Sequence, residues 1–233
     1  MLLQALLISV DPDLVAVLRR CFESVGLQMT VAAHPETGVG HIAMDKYDCI
    51  VVDCDDMSQG VDIVRAIRSG KSNRHAIIFA AIHHLTTQKQ AFELGANFVL
   101  QKPMTQDRAM RSLRAAHSLI LRERRRYHRE PVNCCAKLNC GPQTFDVTVV
   151  NVSEGGMLLA VPSDANLYGA LTVRLQLPDT RFPIEASGQF VWRTAKGHVG
   201  VRVTSYLGNG KVIVDGWLTQ RIETAFCAMA VNA

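Results

Sequence analysis

The chain has 233 residues, 48% hydrophobic and 20% charged, which is enough for two ordinary domains and excludes a disordered protein. Its longest apolar runs, Cys49-Ile50-Val51-Val52 and Ala76 to Ile82, are strand-sized, so no membrane insertion is expected. The net charge of +4 is modest, but positive charge is concentrated in Arg124-Arg125-Arg126-Tyr127-His128-Arg129.

No charged segment precedes Met1-Leu2-Leu3, so the expectation is a cytoplasmic protein without a signal peptide. The seven cysteines form no Cys-x-x-Cys pair, and an odd number cannot all pair internally. Adjacent Cys134 and Cys135 point to opposite faces of a strand, which argues against a shared metal site. The cysteines read as small apolar packing residues.

Leu3 to Ser9 reads as a strand, and Pro12 opens a helix carrying Leu14, Val17, Leu18 and Cys21. Proline suits a first helical turn because its missing N–H has no intrahelical partner there. Further strands are expected at Met29–Ala32, Cys49–Asp53, Ala76–Ala81 and Phe98–Leu100, with helices at Glu36–Met44, Gly60–Ile67 and Thr87–Leu94. Five strands alternating with helices imply a doubly wound α/β domain whose parallel sheet is covered on both faces. The continuously apolar Cys49–Val52 suits its centre.

From Met104 to Arg126 the spacing predicts one long helix, N-capped by Thr105, with Met110, Leu113, His117 and Ile120 or Leu121 as its apolar stripe. Beyond Pro131 the helical period disappears. Strands are expected at Val132–Leu138, Phe145–Val152, Gly156–Val161, Leu171–Leu177, Ile184–Arg193 and His198–Thr204. Short strands punctuated by Gly, Pro, Asn and Asp imply a small antiparallel β-barrel. Lys211–Ala230 reads as a C-terminal helix with Val214, Trp217, Leu218 and Ile222 on one side.

Arg125 and Arg129 sit four apart, where a helix yields to an extended segment before Pro131. Guanidinium forks grip phosphates and guanine edges bidentately and stack on flat bases. Asn151-Val152-Ser153-Glu154-Gly155-Gly156 adds short polar side chains and then glycines, which permit positive φ or close backbone approach. Together they point to a compact ligand with phosphates and purines. Alone, the arginines also read as a solvated linker or anion patch, and the second segment as a turn. Their order and separation make the pair specific.

Arg125-x-x-x-Arg129 followed by Asn151-x-Ser153-x-x-Gly156 resembles the PilZ family. Gly188-Gln189-Phe190-Val191-Trp192 and Gly200-Val201-Arg202-Val203 are similar to that family's later strands. The resemblance covers the chain from Arg122 to its end and sets a PilZ-like domain at 122–233. It implies binding of the bacterial second messenger cyclic di-GMP. Arg125 and Arg129 would take phosphates and guanine faces, and Asn151, Ser153 and Gly156 a guanine edge. Arg124, immediately before the first motif, implies a further contact of the kind associated with a stacked dinucleotide dimer.

Residues 1–121 resemble a response-regulator receiver domain. Asp53 stands at the phosphoacceptor position, Lys102-Pro103 matches the Lys-Pro after the fifth strand, and Glu93-Leu94-Gly95-Ala96 resembles the stretch before it. Departures are equally clear. The acidic pair that holds Mg²⁺ aligns with Ser9 and Val10, leaving Asp11 one place late. The sensing hydroxyl aligns with Ala80 or Ala81, and the switch aromatic with Val99, beside Phe98. The expectation is a degenerate receiver with Asp53 and Lys102 as a vestigial ion pair, taking Mg²⁺ only if it is active. Cys54-Asp55-Asp56 reads as a solvated loop, and His83 and His84 as surface residues.

The combined reading is a cyclic di-GMP effector or adaptor, not an enzyme, with no cofactor. Its receiver half would serve contacts with an unidentified protein partner or a homodimer. A ligand on Arg125 and Arg129 would also order the joint between the halves. The alternatives are a phosphorylation-competent response regulator with a PilZ output domain, or a ligand-independent interaction scaffold. Nucleic-acid binding through Arg108, Arg111, Arg114 and Arg122 is disfavoured, since no helix-turn-helix is legible and lone Tyr127 is not a stacking platform.

Overall fold

The computed structural model describes residues 3–55, 59–163 and 165–230, the side chains of 225–230 excepted. Asp56 and the side chain of Cys227 lie outside the described residues. The chain divides into two compact units, residues 1–124 with 224–233, and residues 125–223.

In the first unit β1 (Leu3–Ile8), β2 (Leu27–Ala32), β3 (Cys49–Asp53), β4 (Ile77–Ile82) and β5 (Phe98–Gln101) form a parallel sheet ordered β2-β1-β3-β4-β5. Every residue of β3 and β4 is buried, as a strand covered on both faces requires. Parallel neighbours need crossovers, supplied by α1 (Pro12–Ser24), α2 (Pro35–Met44), α3 (Gly60–Ser69) and α4 (Gln88–Glu93). Asp11 caps α1 by accepting from the Asp13 and Leu14 amides, and Thr87 and Gln90 form a capping box on α4.

The long helix α5 spans Gln106–Tyr127, and Thr105 Oγ1 accepts weakly from Arg108 N at 3.4 Å. Its buried face runs through Ala109, Leu113, Ala116, Ile120 and Leu121. Leu113, Ile120 and Leu121 were legible from periodicity. The alanines were not, because a small side chain marks a close helix approach without raising the apolar signal.

The second unit is a closed barrel of β6 (Glu130–Cys140), β7 (Gln143–Ser153), β8 (Gly156–Ala160), β9 (Ala170–Leu175), β10 (Ile184–Arg193) and β11 (His198–Tyr206), ordered β10-β11-β8-β7-β6-β9. All its pairings are antiparallel, and closure leaves no open edge. Leu138, Val149, Leu159, Val173, Ala186 and Val199 fill the interior. Helix α6 (Gly210–Ala230) packs Val214, Trp217 and Leu218 against this core, and Trp217 Nε1 donates to Pro178 O at 2.8 Å.

Candidate functional site

The carboxyl ends of the parallel strands are where α/β sheets place their sites, and Asp53 ends β3 there. Its side chain is fully buried. Lys102 Nζ donates to both carboxylate oxygens at 3.0 Å, and Ser9 Oγ donates to Oδ2 at 2.7 Å. Ser9 follows β1 directly and is itself buried, whereas Val10 is exposed. Asp11 approaches Lys102 Nζ at 3.7 Å, but one of its oxygens caps α1. Ala81 pairs with Asp53 in the β3–β4 register and brings no hydroxyl. The donor set does not fit Mg²⁺. A hydroxyl and an aliphatic residue stand where hard oxygen anions are needed, and an ammonium already occupies Asp53.

Neighbouring groups reinforce this closed arrangement. Burial, then Asp53 and Asp55, pushes the Cys54 thiol up to about 12, with Lys102 opposing. Asp55 is no idle loop residue. It accepts from the amides of His83, Leu85 (3.0 Å) and Thr86 (2.9 Å) and so organises the loop after β4. Burial alone would raise the Asp55 carboxyl, but the Thr86 and backbone hydrogen bonds outweigh it and hold it below its usual value. Phe98 stacks on Phe79 with ring centroids 5.0 Å apart, so the aromatic beside Val99 is a packing residue. His83 and His84 are exposed, with ring centroids 3.5 Å apart.

The barrel presents a different kind of site. An open cleft of about 350 Å³ on its outer face is lined by Arg126 and Arg129, by Asn151, Ser153 and Gly156, and by Trp192 and Arg202 among others. Backbone irregularities place these side chains. Along β7 the pairing with β8 skips Val150, an inserted residue that reverses the in–out alternation. Val149 and Val152 therefore both face the core, while Asn151 and Ser153 turn to the cleft. The partner strand β6 is irregular at the same level, where Asn133 adopts φ 47°. A second shift, between Phe190 and Trp192, brings the half-exposed indole of Trp192 opposite Gly200.

Gly156 serves close approach rather than positive φ. It sits between Ser153 and Arg202 in register, and a Cβ there would meet the Val201 carbonyl oxygen. The Ser153 hydroxyl donates to Gly156 O at 3.1 Å and holds the turn. Glu154, inside the same turn, has a buried Oε2 without a hydrogen-bond partner among the described residues. Tyr206, whose buried hydroxyl likewise finds no partner among the described residues, is pushed up to about 12 by burial, then by Asp215 and Glu154.

Residues 123–211 match the family model of the PilZ domain, and residues 5–114 match that of the response regulator receiver domain. The chain is a receiver domain followed by a PilZ domain. This pairing places it in cyclic di-GMP-related signalling of the two-component type, and both domains are regulatory, non-enzymatic modules. Among solved structures it is similar to the chemotaxis response regulator CheY4 of Vibrio cholerae, at 16% identity and TM-score 0.45, covering 49% of this chain and 98% of that one. It is also similar to the receiver domain of sensor histidine kinase PA1611 from Pseudomonas aeruginosa, at 24% identity and TM-score 0.43, covering 49% and 97%. A CheY-like receiver domain protein from Methanospirillum hungatei gives 14% identity, TM-score 0.46, and coverage of 53% and 99%. No curated protein matches the chain.

The PilZ motif residues do not all meet. Arg129, Asn151, Ser153 and Gly156 line the cleft; Arg124 and Arg125 do not. Arg124, expected as a ligand contact, is buried within the receiver unit, with Nη1 3.6 Å from Asp48 Oδ2. The phase of α5 explains this, because Arg124 continues the buried face through Ile120 and Leu121 while Arg126 turns outward. Arg125 instead donates to Thr219 of α6. From sequence, Arg126 stood out only as a member of the arginine run and Arg202 only as part of a strand motif. Alternation along β11 could have found Arg202, since Val201 is buried and its neighbour must face out beside Gly156.

Proposed function

We propose that the protein is an effector that binds cyclic di-GMP in the PilZ cleft. One observation carries this reading: two motifs more than twenty residues apart in the chain contribute Arg129, Asn151, Ser153 and Gly156 to one surface. Arg126, Arg129 and Arg202 offer guanidinium donors for phosphates and guanine edges. Asn151 offers both donor and acceptor to a base edge, and Trp192 a flat apolar face. The role is that of an effector or adaptor, not an enzyme. The cytoplasm is the proposed location, in keeping with free thiols at Cys21, Cys49, Cys54, Cys134, Cys135 and Cys140.

The receiver domain, in this reading, supplies a surface for a protein partner or a second copy. Its closed Asp53–Lys102–Ser9 cluster favours that role over phosphotransfer. Calorimetry with cyclic di-GMP on the full chain tests the central claim. Saturable binding by the wild type and its loss in Arg129→Ala are expected, while a wild type that takes up no ligand overturns the reading.

A further inference from the structure

Of the two arginines in the Arg-x-x-x-Arg motif, Arg129 reaches the cleft and Arg125 does not. Arg125 Nη1 donates instead to Thr219 Oγ1 at 2.5 Å. Thr219 lies in α6, and its hydroxyl hydrogen is already given to Asp215 O at 2.7 Å, so only a lone pair remains for Arg125. The match is poor for a guanidinium. Arg125 Nε is buried and has no hydrogen-bond partner among the described residues. A neutral hydroxyl is also a weaker acceptor for a guanidinium than a phosphate, whose charged oxygens can take two of its N–H donors at once.

We infer that α6 is a latch on the ligand site: Thr219 holds Arg125 back, and a phosphate-bearing ligand must take Arg125 from it. This rests on the cyclic di-GMP reading of the cleft and adds how occupancy is regulated and reported. The same arginine cannot satisfy both acceptors at full strength, so ligand and helix compete for it. Ligand binding then strips α6 of its contact with Arg125 and loosens its Gly210–Glu223 portion. Whatever weakens the Arg125–Thr219 contact tightens ligand binding, and whatever loads the cleft frees the helix. The thermodynamic coupling is reciprocal.

Titration of the full chain with cyclic di-GMP by calorimetry tests this. Thr219→Val keeps the shape but deletes the acceptor, and is expected to tighten binding about tenfold, the weight of one hydrogen bond to a charged group. Thr219→Ser retains the hydroxyl and should bind as the wild type does. On an Arg125→Ala background, Thr219→Val should change affinity no further, because the two residues act as a pair. In the wild type, hydrogen exchange of the α6 amides should quicken at ligand saturation, a readout that needs no variant. Unchanged or weakened binding by Thr219→Val, or α6 exchange that is unchanged or slowed by ligand, overturns the latch alone. A wild type that binds no cyclic di-GMP sinks the reading of the cleft and the latch with it.

Discussion

Lys102 Nζ lies 3.0 Å from both carboxylate oxygens of Asp53, and neither side chain is exposed by more than a few per cent. Phosphoryl transfer to this aspartate would need Mg²⁺ to neutralise the incoming oxygens, yet Ser9 and Val10 stand where its acidic ligands would be. Incubation with Mg²⁺ and acetyl phosphate is expected to leave Asp53 unlabelled in an intact-mass measurement, and a stable phosphoryl adduct there would contradict this. Lys102→Ala leaves a buried carboxylate without its ammonium, while the neutral donors Ser9 Oγ and Asp55 N stay in place. Loss of about 3–5 kcal/mol from the receiver unit is expected in denaturant titration.

Asp55 ties the loop after β4 to the end of β3 through the amides of His83, Leu85 and Thr86. Asp55→Ala should therefore cost the receiver about 1–2 kcal/mol by denaturant titration. Because the folded carboxyl is held below its usual value, its contribution is fully present above the unfolded pKa. It is lost as pH falls through the lower folded value. An acid titration of the wild type against Asp55→Asn reads this as a stability difference that shrinks below about pH 4.

Arg124 and Arg129 separate packing from recognition. Arg124→Ala removes the guanidinium beside the fully buried Asp48, and is expected to destabilise the receiver unit by about 3 kcal/mol while leaving cyclic di-GMP affinity within about twofold. Arg129→Ala should do the reverse, lowering affinity at least about tenfold with little change in stability. Thermal unfolding beside calorimetry on both variants checks the pair. A large affinity loss in Arg124→Ala would restore it to the ligand site.

Two glycines in the cleft wall should respond differently to alanine. At Gly156 a Cβ meets the Val201 carbonyl oxygen, and backbone in a closed barrel cannot step aside cheaply. Gly156→Ala is expected to destabilise the barrel by about 2 kcal/mol and to deform the turn that presents Ser153. At Gly200 the obstruction is the Trp192 indole at 2.5 Å, a half-exposed side chain. Gly200→Ala should move that ring, altering tryptophan emission with a smaller stability loss. Equal stability in Gly156→Ala and wild type would refute the packing argument.

The strands and helices were legible almost throughout, for the usual reason that burial repeats along an element. Cys49–Val52 announced a doubly covered strand, and Ile184–Arg193 carried its own limits. The motif residues Arg129, Asn151, Ser153 and Gly156 were equally legible, because each is a residue type with specific hydrogen-bonding or backbone properties. A run of three arginines does not show which one faces inward, and here it is Arg124 that is buried. Asp55 was read as a solvated acid because its partners, the amides of His83, Leu85 and Thr86, carry no side-chain signature.

What the sequence determined by itself was chemistry and period: two domain types in order, the depleted acidic pair, and the composition of the two motifs. What the tertiary structure decided was who meets whom. An inserted residue at Val150 turns Asn151 and Ser153 outward, helical phase buries Arg124 and exposes Arg126, and Arg125 finds Thr219 ninety-four residues away. Such facts depend on register and rotation, which are set by the packing of whole elements. A local pattern of residues carries no record of them.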